Sequence, residues 1–382
     1  MHLLRNSMYA TRKKHFPKLP NTVNEAVLQL IEFQVKFKDE QFMYFSDDNS
    51  VVLFTWSTNL SALCDAPHVF GDGTFSYCPK LFTQLYTIHI YQNYFYVPVV
   101  FCFLEDKHTS TYTTMWETLQ NLCTHILDRQ LIIKEFHVDF EKSAHNSILN
   151  VFPECKIVCC TFHLAQSWFR RIQKSSKLLR EYKNNNSDVG KWLKYFFGLP
   201  YLPPDEIEIA FSNLIAIAPP KGLYFSDYVF SSYISPNSNF NTSLWAGKPD
   251  NLPRTTNGAE AFHRHFNNQF YNPHPHVYQV INVILNIQSE TDLKLNSIKM
   301  NINNYRRKEI LQTIEYMNNL WTKYSNNEID QLNYLEQMGN RFQVQFNSGT
   351  LFNKNKGFGS GSYYLKGSGS RTGSFRFGFN PW

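Results

Sequence analysis

The sequence lacks several features that would assign it to a common class of enzyme or membrane protein. It contains no Walker A loop, no glycine fingerprint for dinucleotides and no nucleophile elbow, so nothing in it indicates those nucleotide-binding and hydrolase classes. The longest strongly apolar run, residues 95–104, is too short to span a bilayer and predicts a buried strand. No apolar core of signal-peptide length follows Met1, so we expect a protein of the nucleus or cytoplasm that is neither secreted nor membrane-bound.

Cysteine and net charge are also low. Seven cysteines, an odd number scattered through 382 residues, do not indicate a disulfide framework. The formal charge of +6, from 37 Lys and Arg against 31 Asp and Glu, is compatible with a nucleic-acid partner but does not identify one. Hydrophobic residues make up 43% and charged residues 18%, so most of the chain is predicted to be globular.

The order of predicted elements indicates an α/β fold with a mixed sheet. A helix and a hairpin are expected in residues 1–60, and five strands follow in residues 61–184. The strands are expected at residues 68–77, 84–91, 95–104, 131–139 and 156–160. Three strands followed by alternating helices and strands match an RNase H-like core, in which the first and fourth strands are neighbours at the centre of the sheet.

Composition changes predict three further regions. Residues 185–253, rich in Asn, Pro, Ser and aromatics, are expected to form an all-helical insertion that interrupts the core. Residues 254–345 are expected to complete the core with one helix and to add a helical extension. Residues 346–382 are a Gly/Ser-rich tail with interspersed Phe, which is expected to be disordered.

Two acids occupy corresponding places in this predicted sheet. Asp72 lies between two glycines in the first strand, and Asp139 ends the fourth, 139 − 72 = 67 positions later. Neighbouring strands would bring the two carboxylates together, where burial requires neutralisation by a metal or by protons. Mg²⁺ is commonly held by such carboxylates. The flanking glycines predict a close approach to the backbone, although Gly-Asp-Gly alone also fits a turn or bulge with a solvated carboxylate.

Local sequence alone does not identify the third carboxylate that such a site needs. Glu260 is the first choice, but Asn257 followed three positions later by Glu260 also resembles an N-cap with a capping-box Glu. Glu141 is a competitor that equally fits a first-turn acid complementing the helix dipole.

A Cys/His pair begins the next predicted helix. Cys160 and His163 have the spacing of half a zinc site, which His263 and His265 could complete. A small buried Cys and a hydrogen-bonded His explain the pair without zinc. The bare spacing therefore does not establish a metal site.

A basic segment follows this pair. A helix is predicted over residues 164–182, and within it Arg170, Lys174, Lys177 and Arg180 are spaced by three and four positions and would form one stripe. The stripe fits contacts with nucleic-acid phosphates, and it equally fits a solvated helix face.

Four segments, taken together in this order, resemble the transposase domain of Mutator-like elements. They are residues 70–89 (FGDGTFSYCPKLFTQLYTIH), 136–144 (FHVDFEKSA), 160–168 (CTFHLAQSW) and 254–263 (RTTNGAEAFH). The resemblance covers roughly residues 60–290. It implies an RNase H-like transposase of the DDE type, named after its three catalytic acids.

The resemblance also implies roles for individual residues. Asp72 and Asp139 would be the first two metal-binding acids, and Glu260 would be the third, reached after 260 − 139 = 121 positions. Together they would hold two Mg²⁺ or Mn²⁺ ions. Cys160 and His163 match the family's C-x-x-H signature and, with the four basic residues of the stripe, are expected to position the site or bind DNA.

The implied reaction is hydrolysis of a DNA phosphodiester, followed by attack of a 3′-hydroxyl on target DNA. The implied partners are double-stranded DNA, as transposon ends and target, and further copies of the chain in an active homo-oligomer. Related proteins often carry an N-terminal zinc-binding DNA-recognition domain, and no suitable Cys/His cluster precedes residue 60. The alternative is therefore a transposase-derived DNA-binding or interaction module that no longer transposes.

Overall fold

The computed structural model describes residues 16–250 and 257–342, which form two compact units. The first unit comprises residues 16–164 and 257–306, and the second comprises residues 165–250 and 307–342. The predicted Gly/Ser-rich tail, residues 346–382, lies outside the described residues, as do residues 1–15.

Nine strands belong to the first unit. They are β1 (Lys36–Phe37), β2 (Glu40–Gln41), β3 (Met43–Phe45), β4 (Val51–Phe54), β5 (Val69–Thr74), β6 (Gln84–Gln92), β7 (Phe95–Leu104), β8 (Glu135–Val138) and β9 (Lys156–Cys159). Strands β1 and β2 pair only with each other, and the other seven form one mixed sheet.

The seven-stranded sheet has the order β3-β4-β7-β6-β5-β8-β9. Pairing is parallel from β5 to β8 and from β8 to β9, and antiparallel elsewhere. The five strands β7-β6-β5-β8-β9 correspond to the predicted third, second, first, fourth and fifth strands, so the predicted adjacency of the first and fourth strands is confirmed. The predicted N-terminal hairpin extends this sheet at the edge of β7.

Thirteen α-helices lie in the described parts of the chain. They are α1 (Val23–Phe33), α2 (Ser57–Asp65), α3 (Thr109–Leu127), α4 (Lys142–Val151), α5 (Thr161–Gln173), α6 (Ser176–Lys183), α7 (Asp188–Tyr195), α8 (Ile207–Ala216), α9 (Leu223–Val229), α10 (Asn257–Asn267), α11 (Val277–Lys299), α12 (Lys308–Ser325) and α13 (Gln331–Phe342). Short 3₁₀ turns and one π turn connect several of those in the second unit.

Helices cover both faces of the sheet. Successive side chains along each strand point to opposite faces. On one face, Trp116 of α3 contacts Phe136 of β8 edge-on, with ring centroids 5.3 Å apart. On the other face, the side chain of Asp72 meets α10. The long helix α11 packs its apolar residues into a core cluster with Phe54 and Phe101. The sheet is therefore enclosed, which explains why the run at residues 95–104 is apolar almost throughout.

The predicted helix over residues 164–182 is wrong, because two helices cover this segment. Helix α5 ends at Gln173, and Ser175 begins α6 by accepting a hydrogen bond from the Leu178 N–H at 3.3 Å. Serine favours such a cap over a helix interior, because its hydroxyl replaces the missing backbone partner. Lys174 lies between the helices, so the basic residues do not form a stripe on a single helix.

The second unit is built from helices around aromatic side chains. The ring of Trp168 is buried and contacts those of Phe197, Tyr233 and Trp245 at centroid distances of 5.9–6.0 Å. A Cβ placed on Gly198 would lie 2.7 Å from a backbone oxygen of α13, so glycine permits the close approach of that helix.

Two general predictions can be compared with the structure. All seven cysteines are free thiols, and six of them are buried. Across residues 16–250 and 257–342, no helix is long and apolar enough to cross a membrane.

Candidate active site

Asp72 and Asp139 lie side by side at the carboxyl ends of two parallel strands. Strand β5 pairs with β8 through Val69↔Phe136 and Phe70↔His137. The pairing ends two residues before Asp72 and Asp139, which have the same offset of 67 positions. Extended by two residues, this register would set one acid opposite the other. Adjacent strands lie about 4.8 Å apart. Burial raises the pKa of Asp139, and the charge of Asp72 raises it further, while His163 opposes the rise.

Glu260 joins this pair from the first turn of α10. Its Oε1 atom lies 3.3 Å from Nε2 of His163. Burial raises the pKa of Glu260, and the charge of Asp72 adds to the rise against the effect of His163. The Oε1 atom is buried and accepts no hydrogen bond from the described residues. The side chain of Asn257, on which the capping interpretation depends, lies outside the described side chains.

His263 holds the carboxylate of Asp72, a contact that the sequence did not predict. Its Nδ1 lies 3.0 Å from Oδ2 of Asp72, and its Nε2 lies 2.9 Å from the hydroxyl of buried Thr87. The Gly73 N–H donates to Oδ1 of Asp72 at 2.9 Å. Burial alone would raise the pKa of Asp72, but His263 and this N–H hold it below the ordinary value. His263 is three positions after Glu260, a spacing that puts both side chains on one helix face. This spacing is the sequence signal that could have indicated His263 as a site residue.

His163 lies close to Cys160 and Glu260. The ligand atoms of Cys160, His163 and Glu260 lie within 4.8 Å of one another. Although burial acts in the opposite direction, Cys160, Asp139 and Glu260 raise the pKa of His163 to about 10. His163 therefore carries a positive charge at neutral pH and partly balances the acids.

The structure does not bring the two later histidines to the Cys160/His163 pair. His263 contacts Asp72 instead, and His265 is exposed. The third member of this group is Glu260, which the family resemblance had grouped with Asp72 and Asp139.

Glu141, the competing acid, binds other partners. Its Oε2 lies 3.0 Å from Nζ of Lys107, and the hydroxyl of Tyr112 donates to its Oε1 at 3.2 Å. Lys107 also lowers the pKa of Asp139, against the larger effect of burial. Glu141 is the N-cap residue of α4, one position before the first turn in which the sequence predicted it, and its side chain makes no cap hydrogen bond.

The glycines beside Asp72 make room for the protein's own side chains. A Cβ on Gly71 would collide with the Tyr86 hydroxyl and would lie 2.6 Å from the ring of Phe136. A Cβ on Gly73 would lie 2.8 Å from the side chain of Gln84. The predicted close approach to the backbone is present, but packing of neighbouring side chains causes it.

The basic residues of the predicted stripe all belong to the second unit. Arg170 lies in α5, and Lys177 and Arg180 lie in α6. Lys174 and Lys177 line a cavity of about 590 Å³, together with Lys221. The structure thus brings two of the four residues to one cavity, whose lining includes neither Arg170 nor Arg180.

Comparison with known proteins finds one family match within the chain. Residues 69–167 match the family model described as the MULE transposase domain, where MULE denotes Mutator-like elements. The matched segment contains Asp72, Asp139, Cys160 and His163, and Glu260 lies beyond it. No curated protein matches the chain. Over residues 69–167, this chain therefore carries a Mutator-like transposase domain.

Proposed function

We propose that the protein is a DNA transposase whose acids Asp72, Asp139 and Glu260 hold divalent metal ions for cleavage and strand transfer. The observation that carries the proposal is the parallel pairing of β5 with β8, whose register, extended by two residues, would bring the two aspartates side by side. Glu260 reaches the same place from α10 and interacts electrostatically with Asp72. The charge of Asp72 thus acts on two other partly buried carboxylates from distant parts of the chain.

The donor set fits Mg²⁺ or Mn²⁺. Carboxylate oxygens are the ligands that these ions prefer. Oε1 of Glu260 lies 3.3 Å from Nε2 of His163 but accepts no aligned hydrogen bond from the described residues, so it can accept a metal ion. Burial and mutual repulsion raise the pKa of Asp139 and of Glu260, as expected where several acids are placed to bind a cation. When bound, two such ions activate an attacking oxygen and stabilise the leaving oxygen of a phosphodiester.

The side chains around the acids keep them in position. His263 and the Gly73 N–H bind both oxygens of Asp72, which fixes its orientation and favours its ionised form. His163 contacts Glu260 and carries a positive charge that suits a negatively charged phosphate. We assign Cys160 and His163 to positioning the site, because their ligand atoms lie within 4.8 Å of that of Glu260.

The reaction has two chemically related steps. Water first attacks the scissile phosphorus and releases a 3′-hydroxyl. That hydroxyl then attacks a phosphodiester of target DNA, and the leaving oxygen takes up a proton. No covalent bond between protein and DNA is needed, because each step is a direct displacement at phosphorus.

The lysine-lined cavity of the second unit supports the proposed contact with DNA. Lys174, Lys177 and Lys221 line it with the hydroxyl residues Ser175 and Ser176. Glu181 also lines the cavity, so the three lysines leave a formal charge of 3 − 1 = +2 beside hydroxyl donors, which suits a phosphate backbone. A nuclear location and a homo-oligomeric active form remain predictions from the resemblance.

A nicking assay on supercoiled plasmid in Mn²⁺ tests the proposal. Wild type should nick or join DNA, and Asp72→Asn should lose at least about 10² in rate, the order of loss when a key electrostatic group is removed. Asp65→Asn is the control, since Asp65 is exposed and pairs with Arg129 at 2.7 Å. Equal rates for wild type and Asp72→Asn would contradict the assignment. DNA binding without cleavage by wild type would support the transposase-derived binding module.

A further inference from the structure

We propose that His68, Glu135 and His137 form a second metal site, which binds one zinc-type divalent transition-metal ion. The ligand atoms of the three residues lie within 4.8 Å of one another. Oε1 of Glu135 is 3.1 Å from Nδ1 of His68 and 2.9 Å from Nε2 of His137. Tetrahedral zinc bonds of about 2.0–2.1 Å separate ligand atoms by about 3.3–3.4 Å, so the three side chains need only small shifts to bind the ion.

This site lies at the opposite ends of the two strands that carry the aspartates. His68 precedes Asp72 by 72 − 68 = 4 positions, and Glu135 precedes Asp139 by 139 − 135 = 4. An even offset keeps the side chains on the same face of the sheet. A rise of about 3.3 Å per residue separates His68 and Glu135 from the aspartates by about 13 Å, and His137, two positions before Asp139, from that acid by about 7 Å. The proposed metal site is therefore distinct from the group of three acids.

His137 indicates that the site is built rather than accidental. Its relative exposure is only 3%, and the ring of Phe70 stacks on it at 4.2 Å with an interplanar angle of 13°. Although Nε2 is close to Glu135, it makes no aligned hydrogen bond with any described residue. A metal ion between Nε2 of His137 and Oε1 of Glu135 would bind both atoms and replace this unaligned contact of 2.9 Å.

Glu135 is oriented for this role. Lys156 donates to its Oε2 at 3.2 Å, which leaves Oε1 facing both imidazoles. Such an outer contact fixes the direction of a ligand carboxylate. The side chains of His68 and Glu135 are each 20% exposed, so an ion can enter from solvent.

The chemistry of the ligands selects the ion. Two imidazole nitrogens with one carboxylate oxygen favour zinc or cobalt over magnesium or calcium. Three protein ligands leave a fourth position for water. The ion would thus link the amino ends of β5 and β8, the two strands that position Asp72 and Asp139.

Zinc titration of the full 382-residue chain in excess Mg²⁺ tests the proposal, with calorimetry and Co²⁺ absorption as readouts. Wild type should bind one zinc equivalent that His68→Ala loses. Glu135→Gln should weaken binding at least about tenfold, as loss of an oriented metal contact does. Cys160→Ser should retain this equivalent, which separates it from the Cys160/His163/Glu260 group.

His108→Ala is the matched control, since His108 forms an exposed pair with Asp106 at 2.9 Å and should leave zinc binding unchanged. If His68→Ala misfolds, His68→Gln keeps a polar side chain and should show the same loss. Zinc binding that survives both His68 substitutions would overturn the proposal. So would binding that disappears only in Cys160→Ser.

Discussion

Asp139→Asn is expected to stabilise the metal-free protein and to abolish its response to metal. Burial and the charge of Asp72 both raise the pKa of Asp139, so at neutral pH its ionised carboxylate destabilises the fold. Asparagine has the same shape without the charge. The hydrogen bond from His145 Nε2 to the backbone oxygen of residue 139, at 2.7 Å, does not depend on the side chain.

The magnitude follows from the cost of the buried charge. An uncompensated polar or charged group costs about 1–3 kcal/mol, or more when charged. His163 and Lys107 offset part of this cost, so we expect a gain of about 1–2 kcal/mol for the variant. For a unit of roughly 200 residues, each kcal/mol raises the Tm by about 2–4 °C, which gives about 2–8 °C.

Thermal unfolding in EDTA and in millimolar Mn²⁺ measures both effects. Mn²⁺ at about 100 times its Kd should stabilise wild type by about 2.7 kcal/mol and should leave Asp139→Asn unchanged. Asp47→Asn, a change at an exposed acid, should behave as wild type in both conditions. A variant that is less stable than wild type in EDTA, or that gains equally from Mn²⁺, would refute this reasoning.

Three further predictions concern other parts of the chain. Burial lowers the pKa of His89 well below its ordinary value, so only the unfolded chain gains a proton below about pH 6.5, and stability falls with acidification. His89→Gln should remove about 1.4 kcal/mol per pH unit from that slope in urea titrations, and an unchanged slope would contradict it. Gly339→Ala should destabilise the second unit by about 1–3 kcal/mol in urea, because a Cβ there would collide with the carbonyl oxygen of Lys194; unchanged stability would argue against that close packing. Lys174→Ala combined with Lys177→Ala should flatten the salt dependence of DNA binding by about 0.9 in log–log slope per lost phosphate contact, and an unchanged slope would reject their role.

The sheet and its two aspartates could be predicted because their signals are local. Apolar runs at strand length identify β5, β7 and β8, and the order of elements restricts how they pair. Asp72 and Asp139 each interrupt or end such a run, which makes them conspicuous. Glu260 could not be chosen from local sequence, since a capping-box Glu has the same pattern, and the family resemblance was needed to select it.

Contacts that depend on tertiary structure could not be predicted. The approach of His263 to Asp72, 191 positions away, has no local signature beyond the position of His263 three residues after Glu260. The separation of α5 from α6 depends on Ser175 acting as a cap. The spacing of basic and apolar residues continues across Ser175, so the sequence pattern predicted one helix. The group of His68, Glu135 and His137 appears only when the register of two parallel strands is known.

Anomalous diffraction from crystals grown with Mn²⁺ tests the central claim most directly. Manganese peaks should lie between the carboxylates of Asp72, Asp139 and Glu260, and two ions would be about 3.5–4 Å apart. The same data from Asp72→Asn should lose at least one peak. Manganese bound elsewhere in the wild-type chain, with none beside Asp72 and Asp139, would contradict the account.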